Sequence, residues 1–151
     1  MARRFRFALE PVLRYREMIA NRKKKDFAVA NRAVDEERMH RSALQAERAK
    51  TQDEVRRLYA EGEGFEQVVE AYRYINTVDL RLSHSAQKLA QLNAKRDEKR
   101  KALIEADRER RVLEILRDRR REAHDYEEAR AEQQELDTLA IQAKRQEPEE
   151  R

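Results

Sequence analysis

Glycine and proline are almost missing from this chain, and their scarcity governs what it can fold into. Of 151 residues, two are Gly and two are Pro. The glycines stand two residues apart, at Gly62 and Gly64, and the prolines lie near the ends, at Pro11 and Pro148. A sheet protein or a doubly wound α/β fold needs a turn signal about every ten residues. Long uninterrupted helices or disorder are what remain. Asp, Glu, Lys and Arg make up 44% of the chain, which by itself would suit disorder. However, 35 basic residues meet 31 acidic ones, so the net charge is only +4. Ala, Leu, Glu, Arg, Lys and Gln dominate the rest, and all are strong helix formers. The composition is that of a long helix or coiled coil.

Periodicity agrees. Pro11 suits a first helical turn, where its missing N–H costs nothing. Leu13, Ala20, Phe27 and Val34 then keep a strict seven-residue step, a coiled-coil seam, with Leu9, Ala30, Leu44, Val55 and Leu58 on related steps. The seam also passes through Arg16, Lys23, Glu37, Arg41 and Arg48, so its partner must offer long amphipathic side chains. A second series runs through Ile75, Val78, Leu82, Leu89, Leu92, Leu103, Ala106 and Leu113. It then shifts toward Leu116, Ala123 and Tyr126, and later Leu136, Leu139 and Ala143, as a stutter in the heptads would. The expected layout is one helical-hairpin domain: helix one at about 9–60, a break at about 61–67, helix two at about 68–145, and a frayed tail at 146–151.

Charge sets the direction. Residues 1–60 carry net +7, residues 61–74 net −3, residues 75–121 net +6 and residues 122–151 net −6. Folding back at Gly62–Gly64 lays the acidic C-terminal segment beside the basic first helix. The expected fold is all-α, an antiparallel coiled-coil hairpin.

Little in the chain suggests chemistry. There is no Cys, hence no disulfide or thiolate metal site, and the composition suits a reducing compartment. No apolar stretch is long enough to span a membrane, and the basic start lacks the apolar core of a secretory signal, so a cytoplasmic protein is expected. His40, His84 and His124 are too far apart to form a local ligand pair and read as solvated surface residues. Carboxylate pairs are everywhere, but a two-helix rod has no pocket to shift their pKa values. No phosphate-binding or nucleophile motif occurs, so no enzyme activity, cofactor or metal is expected. The basic runs Arg22–Lys25 and Arg117–Arg121 could meet phosphates. They are interleaved with acids and poor in stacking aromatics, so nucleic-acid binding is not expected. Seven of the nine aromatics gather in two places: Phe5, Phe7 and Tyr15, then Tyr59, Phe65, Tyr72 and Tyr74. They either cover the ends of a narrow hairpin or serve as anchors for partner proteins.

Three segments carry a family likeness. Phe5 to Arg16 (FRFALEPVLRYR) resembles the N-terminal signature of FliJ, the coiled-coil protein of the flagellar type III export apparatus. Ala71 to Leu82 (AYRYINTVDLRL) is similar to the start of that family's second helix, and Leu116 to Ala140 to its C-terminal block. The resemblance implies an antiparallel coiled coil similar to the rotary ATPase γ subunit. It implies three partners: the hexameric export ATPase, the membrane export-gate protein and the export chaperones. It also implies peripheral association with the inner membrane, with ATP hydrolysis left to the partner. Carried over by residue, the ATPase-facing end would use Phe5, Phe7, Leu13 and Arg16 with Arg119, Arg120, Arg121 and Glu122. The gate-facing surface would use Tyr72, Tyr74 and Val78. An injectisome relative of the same architecture, or a basic helical hairpin that binds RNA or the ribosome, remains the alternative.

Overall fold

The computed structural model describes residues 4–62 and 64–146. It consists of two helices, α1 (Glu10–Glu61) and α2 (Phe65–Gln146), packed against each other as an antiparallel hairpin, with no strand among the described residues. At the entrance to α1, the Glu10 N–H donates to the Phe7 carbonyl at 3.1 Å, and the Leu13 N–H to the Leu9 carbonyl at 2.9 Å. Pro11 takes the second helical position, where no N–H is required. Arg14 reaches back to Glu10 at 3.7 Å, a pairing one turn apart.

The reversal is tighter than the sequence suggests. Gly62 has φ +68°, the left-handed conformation that ends helices and that side-chain-bearing residues resist. The Gly64 carbonyl already accepts from the N–H groups of Gln67 (3.1 Å) and Val68 (3.4 Å), so α2 starts at Phe65 rather than near residue 68. Lys144 and Arg145 in the last turn of α2 complement its dipole. Gln146 is still helical. The remainder of the tail expected to fray, 147–151, lies outside the described residues, as does Glu63 of the expected acidic turn.

Packing divides the chain into two compact units, Asn21–Glu105 and Met1–Ala20 with Ala106–Arg151. In the first, which contains the turn, both helices follow an unbroken three-and-four step. On α1 the step runs through Lys23, Phe27, Ala30, Val34, Glu37, Arg41, Leu44, Arg48, Thr51, Val55 and Leu58, and every one is buried or half-buried. On α2 it runs through Val68, Ala71, Ile75, Val78, Leu82, Ser85, Leu89, Leu92, Arg96, Lys99 and Leu103, again buried or half-buried throughout. Val34 and Val78 are wholly enclosed.

The polar seam positions form specific cross-helix contacts. Ser85 Oγ donates to Glu37 Oε1 at 2.7 Å, and Lys88 Nζ lies 2.9 Å from Glu37 Oε2. Glu37 and Ser85 are both buried. The hydrogen bond from Lys88, then that from Ser85, hold the Glu37 carboxyl below its ordinary value against the desolvation that would raise it. Arg48 Nε donates to Asp79 Oδ1 at 2.5 Å, and this bond holds the guanidinium above its ordinary value.

In the second unit α1 contributes Leu13, Arg16 and Ala20. The α2 seam continues through Ala106, Arg110, Leu113 and Arg117 to His124, with Arg120 between the last two exposed. This corrects the expected stutter in part: Leu116 is half-buried, but Ala123 and Tyr126 are exposed, and Arg117 and His124 hold the earlier step. Arg packs its carbon stem at a seam while keeping the charged end in water, and His124 packs with its Nδ1 buried, so a count of apolar residues misses both. A second correction concerns charge. Every described side chain from 129 to 145 is exposed, including Leu136, Leu139, Ala143 and the acids of that stretch. The acids of 129–145 therefore lie outside the buried seam. Direction is marked by individual contacts instead: Arg16 with Glu109 in this unit, and Arg48 with Asp79 and Lys88 with Glu37 in the other.

Candidate partner-binding surfaces

Residues 4–9 precede α1 as a non-helical strap. Phe7 is buried, and the Arg120 guanidinium carbon stands over its ring, 5.9 Å from the centroid. Phe5 is half-buried and meets the His124 ring at 5.6 Å between centroids, tilted by 59°. His124 is thus a packing residue rather than a solvated one. Its Nδ1 lies 3.5 Å from Asp125 and makes no hydrogen bond, and its Nε2 is 3.9 Å from Glu128. His40 and His84 are exposed, as expected. Leu13 has no exposed surface, so it holds the helix pair together and offers nothing to a partner. Arg16 is half-buried and paired to Glu109. Arg119, Arg120, Arg121 and Glu122 are exposed. Of the eight positions singled out at this end, the basic run with Glu122 forms the accessible surface, and Phe5 and Phe7 support it from beneath.

The second set divides as well. Val78 is wholly buried in the seam and cannot be a contact residue. Tyr72 and Tyr74 are exposed, but two residues along a helix is about 200° of rotation, so they lie on opposite flanks of α2. Tyr72 shares its flank with Phe65, 83% exposed, and with Val69 and Leu80. Their spacing places them along one outward stripe. Tyr74 instead borders two shallow grooves, one against Leu58, Thr51 and Ala71 and the other against Phe65, Val69 and Thr77. Sequence reasoning missed Leu80 as a member of the Tyr72 stripe. The signal was available, since Leu80 breaks the Val78–Leu82 seam step and therefore points away from it. Ser85 is drawn inward by Glu37 and belongs to the seam.

Among the described residues, no three His, Asp or Glu side chains come together as a metal site, and no helix is long and apolar enough to cross a membrane. Two exposed features stand out among the described residues: an Arg-rich turn of α2, with Arg120 over Phe7 and His124 against Phe5, and an aromatic stripe near the hairpin turn.

Comparison with known proteins gives these surfaces a context. A search of curated proteins finds no match. Among solved structures, a YscO homologue from Chlamydia trachomatis, CT670, is similar over 96% of this chain and 100% of that one, at 22% identity and a TM-score of 0.48. The family model for the flagellar FliJ protein matches residues 5–149. With nearly the whole chain covered, it belongs to the FliJ family, whose members are components of the type III protein export apparatus.

Proposed function

We propose that this chain is a non-enzymatic stalk of the flagellar export apparatus, which binds the hexameric export ATPase, contacts the export-gate protein and escorts export chaperones. It would act in the cytoplasm, at the inner membrane only through those partners. The observation that carries this reading is the family match over residues 5–149, on a hairpin that leaves two separate contact surfaces exposed. The ATPase-facing surface is Arg119, Arg120, Arg121 and Glu122, braced by Phe5 and Phe7, with Leu13 and Arg16 fixing the helix pair beneath. Arginine clusters suit acidic rims on a partner, since they pair bidentately and remain charged at any working pH. The gate-facing surface is centred on Tyr72 with Phe65 and Leu80. Tyr74 flanks it on the other side of the helix, and Val78 supports it from within. Exposed aromatic and aliphatic anchors of this kind carry most of the energy of a protein interface.

The test is capture of the purified export ATPase and of the gate protein's cytoplasmic part by the full chain, with ATPase turnover measured alongside. Arg119→Glu with Arg121→Glu should abolish ATPase capture and spare the gate, and Tyr72→Ala should do the reverse. If neither partner is captured and turnover is unchanged by the chain, the proposal fails.

A further inference from the structure

The hairpin joins two basic runs that lie about seventy residues apart in sequence. Residues 21–26 and 95–101 together hold nine Lys and Arg against three Asp and Glu. Both belong to the unit that contains the turn. Among the described residues, the ion pair recorded within the cluster is Arg96 with its neighbour Asp97, at 3.4 Å. The cluster flanks a groove of about 290 Å³ between the helices. Val29, Ala30, Ala33 and Leu92 make its apolar floor, and Lys95 and Lys99 stand on its α2 rim, facing Asp26 on the other. Val29 is 71% exposed despite its place on this floor. A second depression, lined by Ala33, Glu36, Glu37, His40, Lys88 and Leu92, shares Ala33 and Leu92 with the first; its acids mark the end of the basic stretch on the side of the turn. Lys88, Leu92, Lys95 and Lys99 stand at steps of four, three and four, one face of α2 over about 16 Å, or three helical turns.

We propose that this groove binds an acidic amphipathic helix of a partner protein. Lys95 and Lys99, one turn apart on the α2 rim, match carboxylates one turn apart on a helix laid along α2, while Lys88 beyond them is held by Glu37. Small side chains at Ala30 and Ala33 let such a helix approach closely, and Val29 and Leu92 take its apolar residues. Asp26 on the far rim disfavours a helix acidic on both flanks and so selects its direction. The surrounding net positive charge draws an acidic segment in from a distance. A lipid surface is disfavoured because the apolar lining amounts to Val29, Ala30, Ala33 and Leu92, with no bulky aromatic beside the lysines. RNA is disfavoured because neither run holds an aromatic for stacking, and Phe27, next to the first, is half-buried in the seam. The groove is separate from the proposed ATPase-facing and gate-facing residues, so its occupancy does not depend on either contact.

The test uses the full chain and defined probes, followed by fluorescence anisotropy: a helical peptide with leucine along one face and glutamate beside it, the same peptide with lysine for glutamate, phosphatidylglycerol-containing vesicles, and polyuridine RNA. The glutamate peptide should bind and the lysine peptide should not. Val29→Asp and Lys95→Glu alter exposed side chains and should keep the helical melting profile of the parent, yet each should weaken the glutamate peptide about tenfold or more. A photo-crosslinker at position 29 in cells should attach to an acidic helical segment, and Lys95→Glu should abolish that product. Tighter binding to vesicles or RNA than to the glutamate peptide overturns the proposal. So does equal binding of that peptide to Val29→Asp and the parent, or no binding of the peptide. Loss of ATPase capture with groove binding intact would refute only the preceding section.

Discussion

Val78 and Tyr72 give the sharpest test of how this hairpin divides packing from recognition. Both lie in the segment that resembles the family's gate-facing region, but Val78 is wholly buried and Tyr72 is exposed. Val78→Ala removes two carbons from the seam. At about 0.8 kcal/mol per buried methylene the transfer loss is about 1.6 kcal/mol, and incomplete closure of the cavity raises the cost to about 2–2.5 kcal/mol. For a chain of this size, 1 kcal/mol shifts the melting temperature by about 2–4 °C, so Val78→Ala should melt about 4–10 °C lower by helical circular dichroism. Tyr72→Ala should remain within about 2 °C of the parent. Capture of the gate protein, measured well below both midpoints, should show the opposite order, weak for Tyr72→Ala and near normal for Val78→Ala. If Val78→Ala melts like the parent and still loses capture, Val78 faces a partner and the seam assignment of α2 is wrong.

Other consequences are equally direct. Gly62→Ala should destabilise by about 1–2 kcal/mol, because φ +68° strains any residue with a Cβ although nothing lies within 4 Å of it. Gly64→Ala should be close to neutral, since its Cβ would meet only the Gln67 side chain at 3.7 Å; paired thermal melts decide both. The carboxyl of Glu37 is held below its ordinary value in the fold, so its contribution is complete above about pH 4.5 and is lost as pH falls through the lowered folded value. Glu37→Gln should therefore melt lower than the parent at neutral pH, and the gap should narrow in acid; a constant gap from neutral pH to pH 3 would contradict the contact with Lys88 and Ser85. Arg48→Asp and Asp79→Arg should each lower the melting temperature, and the double reversal should recover most of the loss, as a double-mutant cycle would report.

What could be read in the sequence was whatever a single residue type announces. Two glycines so close together mark one reversal, because only Gly accepts the left-handed step cheaply, and Leu13, Ala20 and Val34 mark a seam because their whole side chains are apolar. The polar members of the seam were legible as positions but not as contacts. Nothing in the order of residues says that Glu37 meets Ser85 and Lys88, since that depends on the register of two helices across the turn. Arg110, Arg117 and His124 are not legible as seam members, because a polar residue type does not announce that its carbon portion packs inward. Ala123, Tyr126 and Leu136, which are apolar or aromatic, are exposed instead. The candidate contact residues fared likewise. A motif gives adjacency in sequence, but Val78 and Leu13 face inward, and Tyr72 and Tyr74 face apart. The apolar groove beside the α2 lysines was invisible, since its lining comes from both helices.

Register is the property on which the surfaces of the turn-containing unit depend. An apolar seam alone would tolerate a slip of one heptad, because Leu or Val would again meet Leu or Val. In this unit a slip would move Glu37 away from Ser85 and Lys88 and leave a carboxylate buried without its partners, and would part Arg48 from Asp79. Buried polar contacts are a well-attested means of fixing coiled-coil register. The groove at Val29, Ala33 and Leu92 exists only in the present register, because its floor comes from both helices. The Tyr72 stripe, by contrast, lies on α2 alone and would survive a slip. Replacing Glu37 and Ser85 together by Leu should therefore keep gate capture while abolishing binding of the glutamate peptide, even where the melting temperature rises. Retention of both activities in that variant would show that the apolar seam sets the register unaided.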